Sequence, residues 1–169
     1  MSLLTRLLAR GTVVLAHSTT KLQSLQMRLT AGEVNDDMEH FEPYGFTSHP
    51  LAGAEGIATF LGGDRSHAVV LVVADRRYRL KALAPGEVAI YTDEGDKVHF
   101  KRGRIIDIET STLNIRASTA INLDTPTLTQ TGQIVSQGDQ VAGGISQIKH
   151  VHPGVQPGNG QTAAPAGGQ

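Results

Sequence analysis

Apolar positions along this chain follow two rules, and the change comes after Pro85-Gly86. Before that point, short apolar runs are separated by Gly- and Asp-rich turns. Thr12-Val13-Val14-Leu15-Ala16 has strand length, Leu22 and Leu25 follow, and Met27 and Leu29 alternate with Gln26 and Arg28. Alternation with period two predicts half-buried strands. Gly32 through Asp37 reads as a turn, Glu39 through Gly45 as a strand end running into a loop, and Gly53-Ala54-Glu55-Gly56 as the entry to a strand from Ile57 to Leu61. Gly62-Gly63-Asp64-Arg65-Ser66 is a strong turn signal, and Ala68-Val69-Val70-Leu71-Val72-Val73 is expected to be the best-buried strand. Short strands and turns at this density predict a small barrel or sandwich.

Beyond Gly86, Val88-Ala89-Ile90-Tyr91 and Val98-His99-Phe100 flank Asp93-Glu94-Gly95-Asp96, a hairpin signal. From Arg104 onward apolar and polar residues alternate: Ile106 and Ile108, then Leu113 and Ile115, then Ile121 and Leu123. Leu113 and Ile121 are eight residues apart, as are Ile115 and Leu123, and Thr129 and Thr131 fall one step further along. Such a repeat implies repeated addition of similar units. A β-helix built from one chain needs longer coils than this segment offers. Three chains wound together would supply the missing faces and leave no strand edge exposed. The last stretch, from Pro153, is Pro, Gly, Gln and Ala, a composition that cannot build a core of its own. It is either disordered or folded against the same axis.

Composition narrows the reading. With 169 residues there is room for one ordinary domain plus an appendage, and a net charge of -1 gives no bulk attraction to nucleic acid. The absence of cysteine excludes disulfides and thiolate metal sites. All seven aromatic residues lie at or before Phe100, so a conventional core is expected in the first part only. No apolar stretch approaches the ~20 residues of a spanning helix. Arg6 and Arg10 interrupt the apolar run that a signal peptide would need, so the start reads as leaderless. Leu3, Leu4, Leu7 and Leu8 are expected on one face of a short docked helix.

The sharpest chemical candidate is His150-Val151-His152, where the repeat ends beside Pro153-Gly154. Residues two apart on a strand share a face, so both imidazoles can converge on one point. One chain brings only two nitrogens there, whereas three-fold symmetry would bring six. Octahedral nitrogen coordination suits iron or nickel better than zinc, which prefers four ligands. The bland alternative is a pair of surface histidines. His17, His40, His49, His67 and His99 are scattered and read as solvated or satisfied single histidines. Arg76, Arg77, Arg79 and Lys81 around Tyr78 read as a solvated turn and strand, or as a contact with an acidic partner subunit. Nucleic-acid binding would need more aromatic platforms and a basic face. No phosphate loop and no nucleophile elbow occurs. A small metal-dependent enzyme using the His pair is the rival, but such a site often carries a carboxylate ligand, and no Asp or Glu follows Asp139.

Several blocks together carry a family resemblance: Arg10-Gly11-Thr12-Val13, Gln26-Met27-Arg28-Leu29, Tyr44-Gly45-Phe46-Thr47-Ser48-His49-Pro50, Gly62-Gly63-Asp64-Arg65-Ser66-His67, Thr92-Asp93-Glu94-Gly95-Asp96 and His150-Val151-His152-Pro153. The chain resembles the central spike proteins of contractile-tailed bacteriophages, the baseplate assembly protein V group, and in particular the spike of Mu-like phages. The resemblance implies an all-β homotrimer. Residues 1–88 would form an OB-like barrel, 89–148 an intertwined triple-stranded β-helix, and 149–169 a pointed apex. It implies one iron ion per trimer, held by His150 and His152 of each chain as six ligands, with room for additional ions on the axis. The partners implied are baseplate hub and tail-tube proteins at the N-terminal end and the host outer membrane at the tip. The protein would be assembled in the host cytoplasm and reside in the virion tail baseplate as a non-enzymatic piercing device. OB folds often bind oligonucleotides or sugars, but here that role would be an analogy of fold alone.

Overall fold

A computed structural model describes residues 7–156 and 158–160. They fall into two units, divided between Ile115 and Arg116. In the first unit, β1 (Leu8–His17), β2 (Ser24–Leu29), β3 (Val34–His40), β4 (Glu55–Phe60) and β5 (Ala68–Ala74) close into a barrel in the order β1-β2-β3-β5-β4. All neighbours are antiparallel except β3 and β5, which pair in parallel through Glu39–Val69 and His40–Val70.

The alternation visible in the sequence builds the core. Val13, Leu25, Met27, Met38, Phe60 and Val70 point inward and are almost wholly buried, while Arg28 between Met27 and Leu29 is exposed. Closure also requires a close approach of β1 to β2 at Gly11. A Cβ there would stand 2.5 Å from the Arg28 carbonyl oxygen and 2.8 Å from Leu29 Cδ2. Only glycine tolerates that contact without a backbone shift.

Two expectations are corrected. The stretch from Gly32 to Asp37 is a turn only at its start, where a 3-10 turn covers Thr30–Gly32. Asn35, Asp36 and Asp37 belong to β3, because Met27–Asn35 and Arg28–Val34 pair. The register shifts between Leu25 and Met27, and Asp37 takes φ 53°, a left-handed conformation that Asp tolerates. The run Ala68–Val73 is buried only over Ala68, Val69 and Val70. Val70 pairs with Ala58 and Val72 with Ile57, which leaves Leu71 as the extra residue of a bulge. Leu71 and Val72 are about half exposed as a result. At the start of the chain, Leu8 opens β1, while Leu3 and Leu4 of the expected helix lie outside the described residues.

A second sheet follows the barrel: β6 (Val88–Tyr91), β7 (Lys97–Lys101) and β8 (Ile105–Glu109), all antiparallel. Its register sorts most side chains by face, with Ile105 left beside the ion pairs. Val88 pairs with Phe100 and Ile90 with Val98, and these pair in turn with Ile106 and Ile108. One face is therefore six apolar residues. Five of them are between 44% and 61% exposed. The other face carries Lys97–Glu109 and Lys101–Asp107 ion pairs at 2.6 and 3.0 Å. Glu87 pins the start of this sheet. Its carboxylate accepts the Ala84 and Arg102 N–H groups at 3.0 and 3.1 Å and meets His99 Nε2 at 3.1 Å.

In the second unit, β9 (Val141–Ala142) and β10 (Ile145–Ser146) form a small hairpin. The apolar residues upstream of it, Leu113, Ile115, Ile121, Leu123 and Leu128, are exposed, and residues 110–140 form no strand within the described chain.

The Arg102 and Ala84 N–H groups, followed by His99, hold the Glu87 carboxyl below the usual carboxylate range. Its stabilising contribution is therefore complete above the unfolded value of about 4.3, and is lost as pH falls through the lower folded value. Glu87→Gln should melt earlier than wild type at neutral pH, with the gap narrowing on acidification. Thermal melts across that pH range check this; a gap that widens in acid would contradict it.

Candidate functional site

Local turn chemistry builds the region around His150 and His152. Gly143 and Gly144 take φ of 57° and 81°. Two successive left-handed residues make the two-residue hairpin turn whose twist suits antiparallel strands. The chain then coils once. Ser146 Oγ accepts the Lys149 N–H at 2.8 Å, as a helix-capping serine would, and the Ser146 carbonyl accepts the His150 N–H at 3.2 Å.

His150 follows that coil, and its Nδ1 lies 2.7 Å from the same Ser146 carbonyl. A carbonyl can only accept, so Nδ1 carries the proton and the lone pair of the neutral ring is on Nε2. A metal-binding imidazole has this arrangement, with one nitrogen held by a backbone oxygen and the other left to ligate. The His152 ring stands 5.2 Å away, centroid to centroid, at 82°. The two rings are thus brought together, but not by a strand face: neither residue lies in a strand. The coil after β10 does what strand alternation was expected to do. Among the described residues no group of three or more His, Cys, Asp or Glu side chains is gathered. In donor chemistry the pair fits a metal; in number it supplies a third of an octahedral set.

Reading the residues alone passed over Ser146 and Asp139, whose Oδ1 accepts the Ile148 N–H at 3.1 Å. The Gly-Gly hairpin signal flanked by Val141-Ala142 and Ile145 could have drawn attention to this turn.

The remaining histidines are mixed. His99 is satisfied by Glu87, and His17, His49 and His67 are exposed. His40 departs from expectation. It is buried at the end of β3, and its Nδ1 has no hydrogen-bond partner among the described residues. Burial pushes its pKa down, against the opposing pull of Glu42. The basic run is also more engaged than expected. Arg76 and Arg10 both bind Glu55, and Arg77 binds Asp75 at 2.6 Å and the Ala52 carbonyl at 2.9 Å. Arg10 and then Arg76 hold the Glu55 carboxyl below its ordinary range.

Two family models match the chain. Residues 10–77 match the family model described as Bacteriophage Mu Gp45, N-terminal, and residues 144–166 match the GpV Apex motif. The chain is 34% identical over 166 residues to the baseplate puncturing device gp45 of Escherichia phage Mu, covering 88% of this chain and 84% of that protein. The chain belongs to the phage Mu gp45 family. A second member, the Mu-like prophage FluMu protein gp45 of Haemophilus influenzae (strain ATCC 51907 / DSM 11121 / KW20 / Rd), is 37% identical over 158 residues, covering 86% of each chain. The expected resemblance to Mu-like spikes is borne out, as is an all-β chain with a closed barrel in its first part. The apex motif contains both His150 and His152 and begins inside the Gly143-Gly144 turn.

Proposed function

We propose that this chain is the central spike of a contractile phage tail baseplate, working as a homotrimer driven through the host outer membrane when the sheath contracts. Membership of the Mu gp45 family supports the place in the virion baseplate and the puncturing role. The structural observation that carries the mechanical reading is the uncovered apolar face Val88, Ile90, Val98, Phe100, Ile106 and Ile108, continued by exposed Leu113, Ile115, Ile121 and Leu123. Apolar surface of this kind stabilises a structure only once it leaves water, and large exposed patches mark interaction sites. Two further copies of the same chain would cover it and pair the residues 110–140 that form no strand alone.

In this reading residues 1–88 form the baseplate end, 89–148 the intertwined shaft and 149–169 the tip. The strand order and the parallel β3–β5 closure support an OB-like barrel, which would face the hub and tube proteins. Intertwining gives stiffness, because separating the chains would break strand pairing along the whole shaft. At the tip, His150 and His152 of three chains would hold one iron ion. The metal would supply cross-linking rather than reaction chemistry, since six imidazoles leave no open coordination position. The protein acts by shape and stiffness, without turnover.

Particles whose spike ends after Gln140 should attach and contract yet deliver less cargo than wild type. Adsorption, contraction and delivery assays on the same preparation decide this; undiminished delivery would sink the piercing role. Elemental analysis of the intact protein should find about one iron per three chains, the ratio of an octahedral site with two His from each. Replacing both His150 and His152 with Ala should remove it while leaving the oligomer whole. Iron retained in that double variant would refute the ligand assignment.

A further inference from the structure

The turn that presents His150 is held by a residue outside the matched apex motif, which starts at residue 144. Asp139 lies two positions before β9 and is the last carboxylate in the sequence. Its Oδ1 accepts the Ile148 N–H at 3.1 Å. The next N–H back, that of Gln147, goes to the Gln140 carbonyl at 3.0 Å. Ser146 Oγ in turn accepts the Lys149 N–H at 2.8 Å, and the Ser146 carbonyl accepts from His150 Nδ1 at 2.7 Å. The contacts form one continuous path, from carboxylate to turn to carbonyl to imidazole.

We propose that Asp139 is a positioning residue for the tip: by holding the Ser146–Lys149 turn it keeps Nδ1 of His150 on the Ser146 carbonyl and leaves Nε2 as the ring's donor. This rests on the reading of His150 as a metal ligand. The chemistry favours a carboxylate at this place. The turn's N–H groups of Gln147, Lys149 and His150 go to the Gln140 carbonyl, Ser146 Oγ and the Ser146 carbonyl, and that of Ile148 goes to Asp139, so each donor has an acceptor. An imidazole whose second nitrogen is not held can rotate and exchange tautomers. Fixing it lowers the cost of presenting Nε2 to a metal, the usual effect of outer partners in a metal site. Ser146 transmits the constraint through its hydroxyl, which binds Lys149, and its carbonyl, which binds the ring.

The test uses the full-length chain, metal-free and loaded with iron(II), as wild type, Asp139→Ala, Asp139→Asn and Ser146→Ala. Iron affinity is read by chelator competition, and the His150 tautomer by ring-nitrogen chemical shifts of the metal-free protein. Wild type should show the Nδ1–H form. Asp139→Ala should bind iron about tenfold more weakly or worse and show a mixture of tautomers. Asp139→Asn keeps one acceptor oxygen and should restore both readouts in part. Should Asp139→Ala fail to fold, Ser146→Ala, which removes only a hydroxyl, should move both readouts the same way. Wild type that takes up no iron would overturn the metal reading while the ring-nitrogen signal still decides the positioning role. A folded Asp139→Ala with unchanged tautomer and unchanged iron affinity overturns the inference.

Discussion

Apolar surface left in water costs roughly 25 cal/mol for each Å², and this chain leaves a whole sheet face there. Val88, Ile90, Val98, Phe100, Ile106 and Ile108 share one side of β6–β8 by register, and the opposite side carries two ion pairs. A sheet so divided needs a cover. The barrel does not provide it, since five of the six residues remain substantially exposed. The same demand continues through Leu113 to Leu128, where the chain has neither a core nor strand partners of its own. Every feature of the proposed spike follows from how that surface is covered. In the proposed spike, copies wound about an axis would bury it, and the winding would bring their ends together at the tip.

The barrel solves the opposite problem. It closes on itself, with Phe60, Leu25 and Met27 at its centre and Gly11 allowing the close approach of β1 to β2. It depends on no other copy for its core, so its outer surface is free to meet other baseplate proteins. Glu87 marks the change from one regime to the other, tying the segment after the barrel to the β7–β8 turn through Arg102 and to β7 through His99. In the proposed spike the shaft would need a firm root, and a carboxylate holding two backbone N–H groups and an imidazole would give one.

Much of this was legible in the residues. Alternation around Met27 and Leu29, the Asp93–Asp96 turn and the isoleucines of β8 all report side-chain direction, which periodicity encodes. Positions where the backbone leaves its period were not legible. Asp37 sits in β3 at a left-handed angle and looks like a turn residue, and Leu71 is the extra residue of a bulge in what reads as an unbroken buried run. Spacing singled out His150 and His152, but the structure brings their rings together after a coil rather than along a strand. Asp139 and Ser146 gave no signal, because their importance lies in hydrogen bonds to a group nine residues away or within one turn, which no side-chain pattern records.

The central claim is that the apolar face beginning at Val88 is covered by two further copies of this chain. Native mass spectrometry of the purified, full-length protein at micromolar concentration tests it most directly. The account predicts a single species of three times the 17.9 kDa chain mass, persisting on dilution. A folded, stable species of one chain mass, with the β6–β8 face in water, would contradict it.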